Sequence, residues 1–425
     1  MHIGNRLKRL RFLKGISQLH ICKGIVSPSH YSNIESGRYD ASNDILNTIA
    51  ERLDVPTNYL LCLSKSDDEL SVLLEQFEQL LFTDIQKAKA FYEEQKDNFD
   101  YISSMELELK FLLLYCFYLL KTYNIPDAKR KYKEILFYIN NKNVMIFPDK
   151  AKFYYYYVSG LLHFYENKYL ESYDFYNNTL LYSPSQVEEA KIKFNLSLVC
   201  FRTNDNQKAL RYALDAKKTF MELHSWRELI ETYILLGIIY TDIKEYTNAE
   251  EVLNKGLKLS SEGNNNFSAS KALHNLGLVY LNTGKYERSL QFFNRGLELK
   301  MKCDPNNLFL SYIGILLVHL RNDNFDEFNV YMKVAAKYCK NDYQLHQLKV
   351  LEGKMEYRLE NYDLYVQIME NSLKYLHKNK IWYEIVDNAK QLSQYHYSQR
   401  RYKKAYYYLE LELEATTKLY REMSI

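Results

Sequence analysis

Glycine and proline are scarce in this chain of 425 residues, which contains 13 Gly and 6 Pro. Because these two residues interrupt regular structure and mark turns, their scarcity favours helix over most of the length. Hydrophobic residues make up 47% of the sequence and charged residues 26%, a balance typical of globular rather than disordered proteins. The sequence therefore predicts an all-α protein of two or three domains.

Clustered cysteines and long apolar runs are also missing. The six cysteines are scattered and form no C-x-x-C pair, which argues against a disulfide framework and indicates a reducing, cytoplasmic environment. The N-terminal MHIGNRLKRL begins an amphipathic helix rather than the apolar part of a signal peptide. The longest apolar run, FLLLYCFYLL at 111–120, has about half the length of a membrane span. We expect it to form a buried helix.

No pattern of an enzyme active site is present. The sequence has no glycine-rich phosphate loop, no H-E-x-x-H and no nucleophile elbow, and its ten histidines are dispersed. An isolated histidine in a helical protein is more often a packed or surface residue than a ligand or a base. We therefore expect a protein that is not an enzyme and that holds neither a metal nor a cofactor.

The stretch SPSHYSNIESGRY, which begins at Ser27, predicts a short helix with a polar outer face. Ser27 is a suitable N-cap, Pro28 suits the first helical position and Gly37 suits the C-terminal stop. Tyr31 and Ile34 are three residues apart and can face a core. The remaining hydroxyls and amides suit the donors and acceptors of a DNA groove. The alternative interpretation is a capped surface helix of an ordinary helical domain.

Helical patterns flank this stretch on both sides. Upstream, one helix is predicted to end at Gly15 and a second to begin after Ser17. Downstream, Ser42 can cap a helix whose apolar face ends before Pro56. About sixty residues therefore hold four or five short helices.

These helices resemble the helix-turn-helix domain of the phage-repressor (Xre/Cro) family. The resemblance rests on Gln18, on VSPSHYSNIESG, on ASNDILNTIAERLDV and on the signature S-x-I-E-x-G, which stands here at 32–37. It covers residues 1–62 and implies DNA binding. The family often has Gln or Arg at the position of Pro28, so one base contact is lost or replaced.

In this motif the second helix of the pair enters the major groove and the first contacts the backbone. Asn can bond bidentately to adenine, while hydroxyls and cations suit phosphates. The side chains expected at base edges are Ser29, His30 and Asn33, and those expected at phosphates are Gln18, Ser27 and Arg38.

Positive charge is concentrated at the N-terminus. Residues 1–38 carry seven Lys and Arg against one Glu, and residues 1–60 carry eight against five acidic residues. The net charge of residues 1–60 is therefore +3, which equals that of the whole chain, so the remainder sums to zero. We expect this surplus to face the phosphates of DNA.

Beyond residue 65 the sequence repeats with a period of 37–44 residues. In each unit a mostly small residue precedes an aromatic-rich turn and, twelve positions later, a residue of a second helix. These pairs are Cys116/Ala128, Gly160/Ser172, Ser197/Ala209, Gly237/Ala249, Gly277/Ser289, Leu316/Phe328, Gly353/Tyr365 and Ser393/Ala405. The pattern is typical of tetratricopeptide repeats, whose usual period is about 34 residues, so either the helices or the turns are longer here.

Eight or nine such units predict a right-handed superhelix with a concave inner face. The sequence then divides into residues 1–62 as a DNA-binding domain, 63–100 as a linker helix with a degenerate first repeat, and 101–425 as a repeat domain for peptide binding and oligomerisation.

A repressor-type domain followed by such an array resembles the peptide-sensing quorum-sensing regulators that include PlcR, NprR, PrgX, Rgg and the Rap phosphatases. It is most similar to the NprR branch. The resemblance implies that a short, re-imported signalling peptide binds the concave face. It further implies a homodimer or higher homo-oligomer whose pairing, and so whose DNA affinity, changes with the peptide.

In that family, Asn side chains of the inner helices hold the peptide backbone, since an amide offers both donors and an acceptor. The matching repeat position holds Asn195, Asn275 and Gln391. Neighbouring inner-face positions are Lys191, Arg202, Glu231, Asp242, Lys271 and Asn282. The alternative is an Asn that caps or bridges helices within the array.

Two other functions stay open from the sequence. Proteins of the NprR and Rap type also bind response regulators and can inhibit or dephosphorylate them. A phage or plasmid repressor could also use the array only to dimerise.

Overall fold

The computed structural model describes residues 1–61 and 67–424, and the predicted boundary between residues 62 and 63 lies outside them. The described ranges contain helices and no strands, which confirms the all-α prediction. The first five helices are α1 (Ile3–Lys14), α2 (Gln18–Cys22), α3 (Pro28–Glu35), α4 (Asn43–Leu53) and α5 (Thr57–Leu61). Next come α6 (Asp68–Thr83), α7 (Ile85–Gln95), α8 (Met105–Lys121), α9 (Ile125–Ile135), α10 (Asp149–Tyr165) and α11 (Tyr169–Leu180), with short 3₁₀ helices at Lys96–Phe99 and Val144–Ile146.

The remaining helices are α12 (Gln186–Arg202), α13 (Asn206–Glu222), α14 (Trp226–Asp242), α15 (Tyr246–Glu262), α16 (Asn266–Asn282), α17 (Tyr286–Cys303), α18 (Phe309–Arg321), α19 (Phe325–Ala336), α20 (Asp342–Arg358), α21 (Tyr362–Lys378), α22 (Trp382–Ser398) and α23 (Tyr402–Ser424). The chain divides into two compact units, Met1–Pro184 and Ser185–Ile425.

The first five helices follow the signals in the sequence. Gly15 ends α1 in the left-handed conformation, with φ of 64°. The Ser17 hydroxyl accepts from the backbone of His20 and caps α2. Ser42 precedes α4 as expected, although its side chain makes no capping hydrogen bond. Helices α1 to α5 share one core, whose fully buried members are Leu7, Ile21, Cys22, Tyr31, Ile34, Ile49, Ala50, Leu53 and Leu60.

Helix α8 contains the longest apolar run of the sequence. Of residues 111–120, all but Tyr115 are buried, which confirms the prediction of a buried helix. No helix among the described residues is long and apolar enough to cross a membrane.

The repeat period exceeds that of an ordinary tetratricopeptide because the helices are long. Helices α12 to α16 each have 17 residues. The turn that follows each of these five helices is short, and its middle residue has a positive φ at a constant interval along the chain. These positions are Asn204, His224, Lys244, Asn264 and Gly284. The extra length of the repeat therefore lies in its helices, and the alternative of longer turns is wrong for this part of the array.

Small residues let the two helices of a pair approach closely. A Cβ on Gly237 in α14 would lie 2.5 Å from a δ carbon of Leu253 in α15. A Cβ on Gly277 in α16 would likewise lie 2.7 Å from a ring carbon of Phe293 in α17. Real Cβ atoms do not come so near, so glycine is required at both positions for the present packing.

Candidate functional site

Helix α3 is held by its inner face and leaves its polar face in solvent. Tyr31 and Ile34 are fully buried, as predicted. The Ser27 hydroxyl accepts from the backbone N–H of His30 at 3.2 Å and caps the helix. Pro28 occupies the first turn, and Ser36 follows the last helical residue. The rigid inner face therefore fixes the direction in which the outer side chains point.

The structure places five of the six predicted DNA-contacting residues around the exposed side of α3. Ser29, Ser27 and Arg38 are exposed, while His30 and Asn33 are half-buried. The hydroxyls of Ser27 and Ser29 lie 3.1 Å apart. No hydrogen bond joins the side-chain amide of Asn33 to the described part of the chain. Its donors and acceptor are therefore available to base edges.

His30 is partly occupied by a neighbour. Its ring packs on Tyr39, with 5.9 Å between the ring centroids, and Tyr39 is itself exposed. Sequence reasoning did not single out Tyr39. Its position directly after Arg38, beyond the stop at Gly37, is the signal that places it beside α3.

Gln18, the sixth predicted residue, is engaged within the domain. Its amide donates to the carboxylate of Glu35, which is buried at the end of α3. Arg11 donates to the same carboxylate through two nitrogens, at 2.7 and 3.3 Å. This network ties α1, α2 and α3 together. Gln18 therefore has a structural partner in addition to any phosphate.

The interpretation of the N-terminal charge is wrong in part. Arg6 is fully buried and Arg9 is almost so, and both project from α1 towards α8 and α9. Arg6 pairs with Glu108 at 2.8 Å, and Arg9 pairs with Glu134 at 2.7 Å. These two cations are neutralised inside the protein. The cations of residues 1–60 that remain without a carboxylate partner and at least partly exposed are Lys8, Lys14, Lys23, Arg38 and Arg52.

The buried pairing also fixes the protonation of a tyrosine between the helices. Burial raises the pKa of Tyr59 well above its usual value, and the charge of Glu108 adds to this effect. The Tyr59 hydroxyl therefore keeps its proton and donates it to Glu108. Burial works to lower the pKa of Arg9, but the negative charges of Glu108 and Glu134 oppose this, and the pKa lies well above its usual value.

In the second unit, the first helices of the repeats form the surface on which a peptide was predicted. Lys271 of α16 pairs with Glu231 of α14 at 3.0 Å, so the two equivalent positions of neighbouring repeats are joined. Asn275 donates to the backbone carbonyl of Lys271 at 2.9 Å, which leaves its side-chain oxygen and one N–H. Asn195 has a partner within the protein. Asn195, Asn275 and Gln391 are half-buried, whereas Arg202 and Asn282 are exposed.

A charge on α12 acts on a tyrosine of α22 within the second unit. Arg202 at the end of α12 lies close enough to Tyr383 of α22 to act on its titration. Desolvation raises the pKa of Tyr383, and the positive charge of Arg202 opposes that rise.

A cavity of about 210 Å³ opens between α18, α20 and α22 on the same set of helices. Its lining residues are Ile313, Gln347, Val350, Leu351, Lys354, Tyr383, Glu384, Asp387 and Asn388. Glu384 accepts from the hydroxyl of Tyr343 and from the amide of Gln347, at 3.2 Å for the amide. Burial, and to a smaller degree Arg321, lowers the pKa of Lys354, and Asp387 and Glu384 oppose this.

Sequence reasoning missed this polar cluster, although a signal was present. Gln347 and Asp387 each stand six residues before the small residue of their repeat, which is the place of Lys191, Glu231 and Lys271 in earlier repeats. The shorter step between Leu316 and Gly353 shifts the pattern. The equivalence is visible only when each repeat is aligned on its own small residue.

Family models match one region in each of the two compact units. Residues 4–64 match the family described as helix-turn-helix domain, and residues 228–302 match the family described as tetratricopeptide repeat. The chain is 29% identical over 261 residues to the transcriptional activator NprA of Geobacillus stearothermophilus, which covers 60% of this chain and 62% of NprA. It is 22% identical to response regulator aspartate phosphatase I of Bacillus subtilis (strain 168), over 82% of this chain and 88% of that protein.

The chain is thus similar in sequence both to a transcriptional activator and to an aspartate phosphatase. Its match to NprA spans less than two thirds of the length of that relative. Among solved structures it is similar to NprR in complex with its cognate peptide NprX, with a TM-score of 0.62 and 18% identity. That similarity covers 83% of this chain and 99% of the NprR chain, and it shows that the two share a fold.

Within the described residues, no group of three or more His, Cys, Asp or Glu side chains is arranged to hold a metal ion.

Proposed function

We propose that this protein is a transcription regulator of the NprR type, which binds a DNA operator through α3 and a short signalling peptide on the inner face of its second unit. The observation that carries this proposal is the exposed, capped α3 in a chain whose fold covers 99% of peptide-bound NprR. The protein would act in the cytoplasm, as a regulator rather than as an enzyme.

DNA recognition is supported by the free amide of Asn33 beside exposed hydroxyls and Arg38. Selection of sites from a random DNA pool would give the operator. Asn33→Ala should then weaken binding to that operator by about 1–3 kcal/mol and leave binding to unrelated DNA nearly unchanged. Asn43→Ala, an exposed Asn at the start of α4, is the matched control. An equal loss on both DNAs would remove Asn33 from the base readers.

Peptide binding is supported by the half-buried amides of Asn195 and Asn275 on the concave surface and by the polar cavity beside Glu384. Asn275 already bonds only to its own helix, so a peptide can take over that donor at little cost. Asn275→Ala and Asn195→Ala should each weaken the binding of a heptapeptide by about 1–3 kcal/mol in calorimetry. Asn248, exposed on the second helix of its repeat, provides the control Asn248→Ala. Unchanged affinity in both variants would place the peptide elsewhere.

Self-association is supported by the last helix. Tyr402, Tyr406, Leu409 and Leu413 of α23 are all more than half exposed and recur every three or four residues, so they form one apolar stripe. We expect a second copy of the chain to cover it in a homodimer or a higher oligomer. Light scattering of Leu409→Glu should show a smaller particle than the native chain, and Leu310→Glu on α18 serves as the control.

The peptide and DNA surfaces would be coupled through this pairing. If the peptide changes DNA affinity tenfold, DNA must change peptide affinity tenfold in the same sense, about 1.4 kcal/mol of coupling. DNA titrations at zero and saturating peptide, with light scattering in parallel, test this. An unchanged oligomer with an unchanged DNA affinity would leave the array as a passive scaffold.

The second candidate function is the binding of a response regulator, with inhibition or dephosphorylation of it. It is favoured by the match to aspartate phosphatase I over 82% of this chain. Incubation of the protein with phosphorylated receiver domains should then shorten the life of the aspartyl phosphate or retain the receiver on a column. Neither effect, in a preparation that binds its operator, would leave DNA regulation as the function.

A further inference from the structure

The two buried arginines of α1 join the DNA-binding domain to the first repeat pair, α8 and α9. The guanidinium of Arg6 donates to Glu108 at 2.9 Å, to the carbonyl of Ser103 at 3.0 Å and to the carbonyl of Ile102 at 2.9 Å. It also lies over the ring of Tyr59, 4.1 Å from the centroid. Arg6 is therefore fully enclosed and fully bonded.

Arg9 completes the same network on the next turn. It donates to Glu134 of α9 at 2.8 Å, to the Tyr59 hydroxyl at 2.9 Å and to the second oxygen of Glu108. Tyr138 donates to Glu108 at 2.7 Å from the far side. Two arginines thus meet two carboxylates, and both oxygens of Glu108 are used.

Aromatic contacts at the rim make the junction rigid. Phe12 of α1 packs on Phe137 after α9, with 5.5 Å between the ring centroids. Tyr59 meets Tyr101 edge to face at 5.4 Å. A planar guanidinium held by several fixed acceptors tolerates little rotation, so the network specifies one orientation rather than a loose contact.

This junction does not cover α3, the helix proposed to enter the DNA groove and called the reading helix below. The arginines project from one face of α1, while Ser29, Ser32 and Arg38 of the α3 region are exposed. The contact therefore does not cover the DNA-binding surface, and inhibition by occlusion does not explain it. What the network does is fix the direction of α3 relative to α8 and α9.

We propose that Arg6, Arg9, Glu108 and Glu134 are positioning residues for operator recognition, which hold the reading helix at one angle on the first repeat pair. The proposal rests on the proposed DNA binding. Once two chains pair as proposed above, each α3 keeps one direction relative to its own α8 and α9, because the DNA-binding domain cannot rotate independently of them. The protein would consequently read the spacing of its half-sites as well as their sequence.

The test compares a DNA carrying one half-site with operators carrying two half-sites at the native spacing and with one to five inserted base pairs. The variants are Glu134→Gln at the edge of the network and Glu108→Gln at its centre. Glu166→Gln is the matched control, since Glu166, which follows α10, pairs with Lys129 of α9 at 2.5 Å and has no recorded contact with α1.

We expect both network variants to bind one half-site within twofold of the native chain and to lose at least tenfold on the native two-site operator. Their affinities for operators of different half-site spacing should become more alike. A loss of folding stability alone would lower all of these affinities by the same factor. The control should keep the native preference. Equal losses on one and two half-sites would show that the network only supports folding, and an unchanged spacing preference would overturn the proposal.

A second measurement is independent of DNA binding. In the native chain, the backbone amides of residues 3–61 should exchange at rates similar to those of α8. In Glu134→Gln, the amides of residues 3–61 should exchange at least tenfold faster than those of α8. If these amides exchange alike in both proteins, the network does not hold the domain and the proposal fails. If exchange responds as expected but no operator is found, the positioning contact stands and the DNA function fails.

Discussion

The hydroxyl of Ser289 in α17 donates to the backbone carbonyl of Gly277 in α16 at a distance of 2.7 Å. The same twelve-residue relationship joins Ser172 to Gly160, Ser197 to Ala209 and Ser393 to Ala405, at 2.7–2.8 Å. Either helix of a pair can supply the hydroxyl. One side-chain hydrogen bond therefore accompanies the close approach of the two helices in these four repeats.

Ser289→Ala should lower the free energy of unfolding by about 0.5–1.5 kcal/mol, because the serine is fully buried and the bond has no water to replace it. Urea unfolding followed by circular dichroism measures the shift. Ser261→Ala removes an exposed hydroxyl of α15 and should have a smaller effect. Equal changes in the free energy of unfolding would show that the buried hydrogen bond does not stabilise the fold.

Gly237→Ala should destabilise the protein by about 1–3 kcal/mol, because the added Cβ would collide with Leu253. Leu253→Ala alone should cost about 2–5 kcal/mol through the cavity it leaves. The double variant should cost clearly less than the sum, since the smaller side chain accommodates the Cβ. The equivalent positions of the preceding repeat hold Ser197 and Ala213, both buried, which is the combination that the double variant imitates. Additive losses in urea unfolding would contradict this packing relationship.

Stability should fall as the pH is lowered from about 6.5 towards 4 because of His274. Desolvation lowers the pKa of this side chain to about 4, and Lys300 adds to the shift. In the unfolded chain this histidine is protonated below about pH 6.5, whereas in the folded chain it stays neutral down to about pH 4. The folded state therefore loses at most about 3 kcal/mol of stability as the pH falls through this range. His274→Leu should reduce the slope of the unfolding free energy across this pH range, whereas His20→Gln, at an exposed position, should not. Part of the slope should remain, because burial also lowers the pKa values of His319, His346 and His396. A native profile without this slope would show that His274 is solvated.

Arg38→Ala should weaken DNA binding by a similar factor on operator and unrelated sequences. It should also reduce the slope of log affinity against log salt by about 1, as expected for the loss of one phosphate contact. Arg358, which pairs with Asp323 in the second unit, provides the control Arg358→Ala. A salt slope that stays at the native value would remove Arg38 from the DNA interface.

Much of the fold could be predicted because its signals are local. The cap at Ser27, the stop at Gly37 and the inward pair Tyr31 and Ile34 lie within eleven residues, and all appear in α3 as expected. The two residues of each repeat pair are likewise only twelve positions apart. They lie on consecutive helices joined by one short turn.

The partners of Arg6 and Arg9 could not be predicted because they are distant in sequence. Glu108 lies 102 residues from Arg6, and Glu134 lies 125 residues from Arg9. The local sequence pattern of an arginine on a helix is the same whether the side chain contacts a phosphate or a buried carboxylate. The local charge count therefore overstated the basic surface, and the polar cavity near Glu384 was missed for the related reason that its residues meet only when α20 and α22 pack.

Because the turns are evenly spaced, one whole repeat could be deleted from the gene, or duplicated in it, without disturbing the helices on either side. Helices α14 and α16 have the same length and the same place in their repeats, so residue 236 could be followed directly by residue 277 without a break in the helix. A deletion of residues 237–276 would fuse the first part of one helix to the second part of its equivalent and keep the regular spacing of the remaining turns. Recombination between two copies of the unit could thus shorten or lengthen the protein by one repeat while leaving both ends as they are.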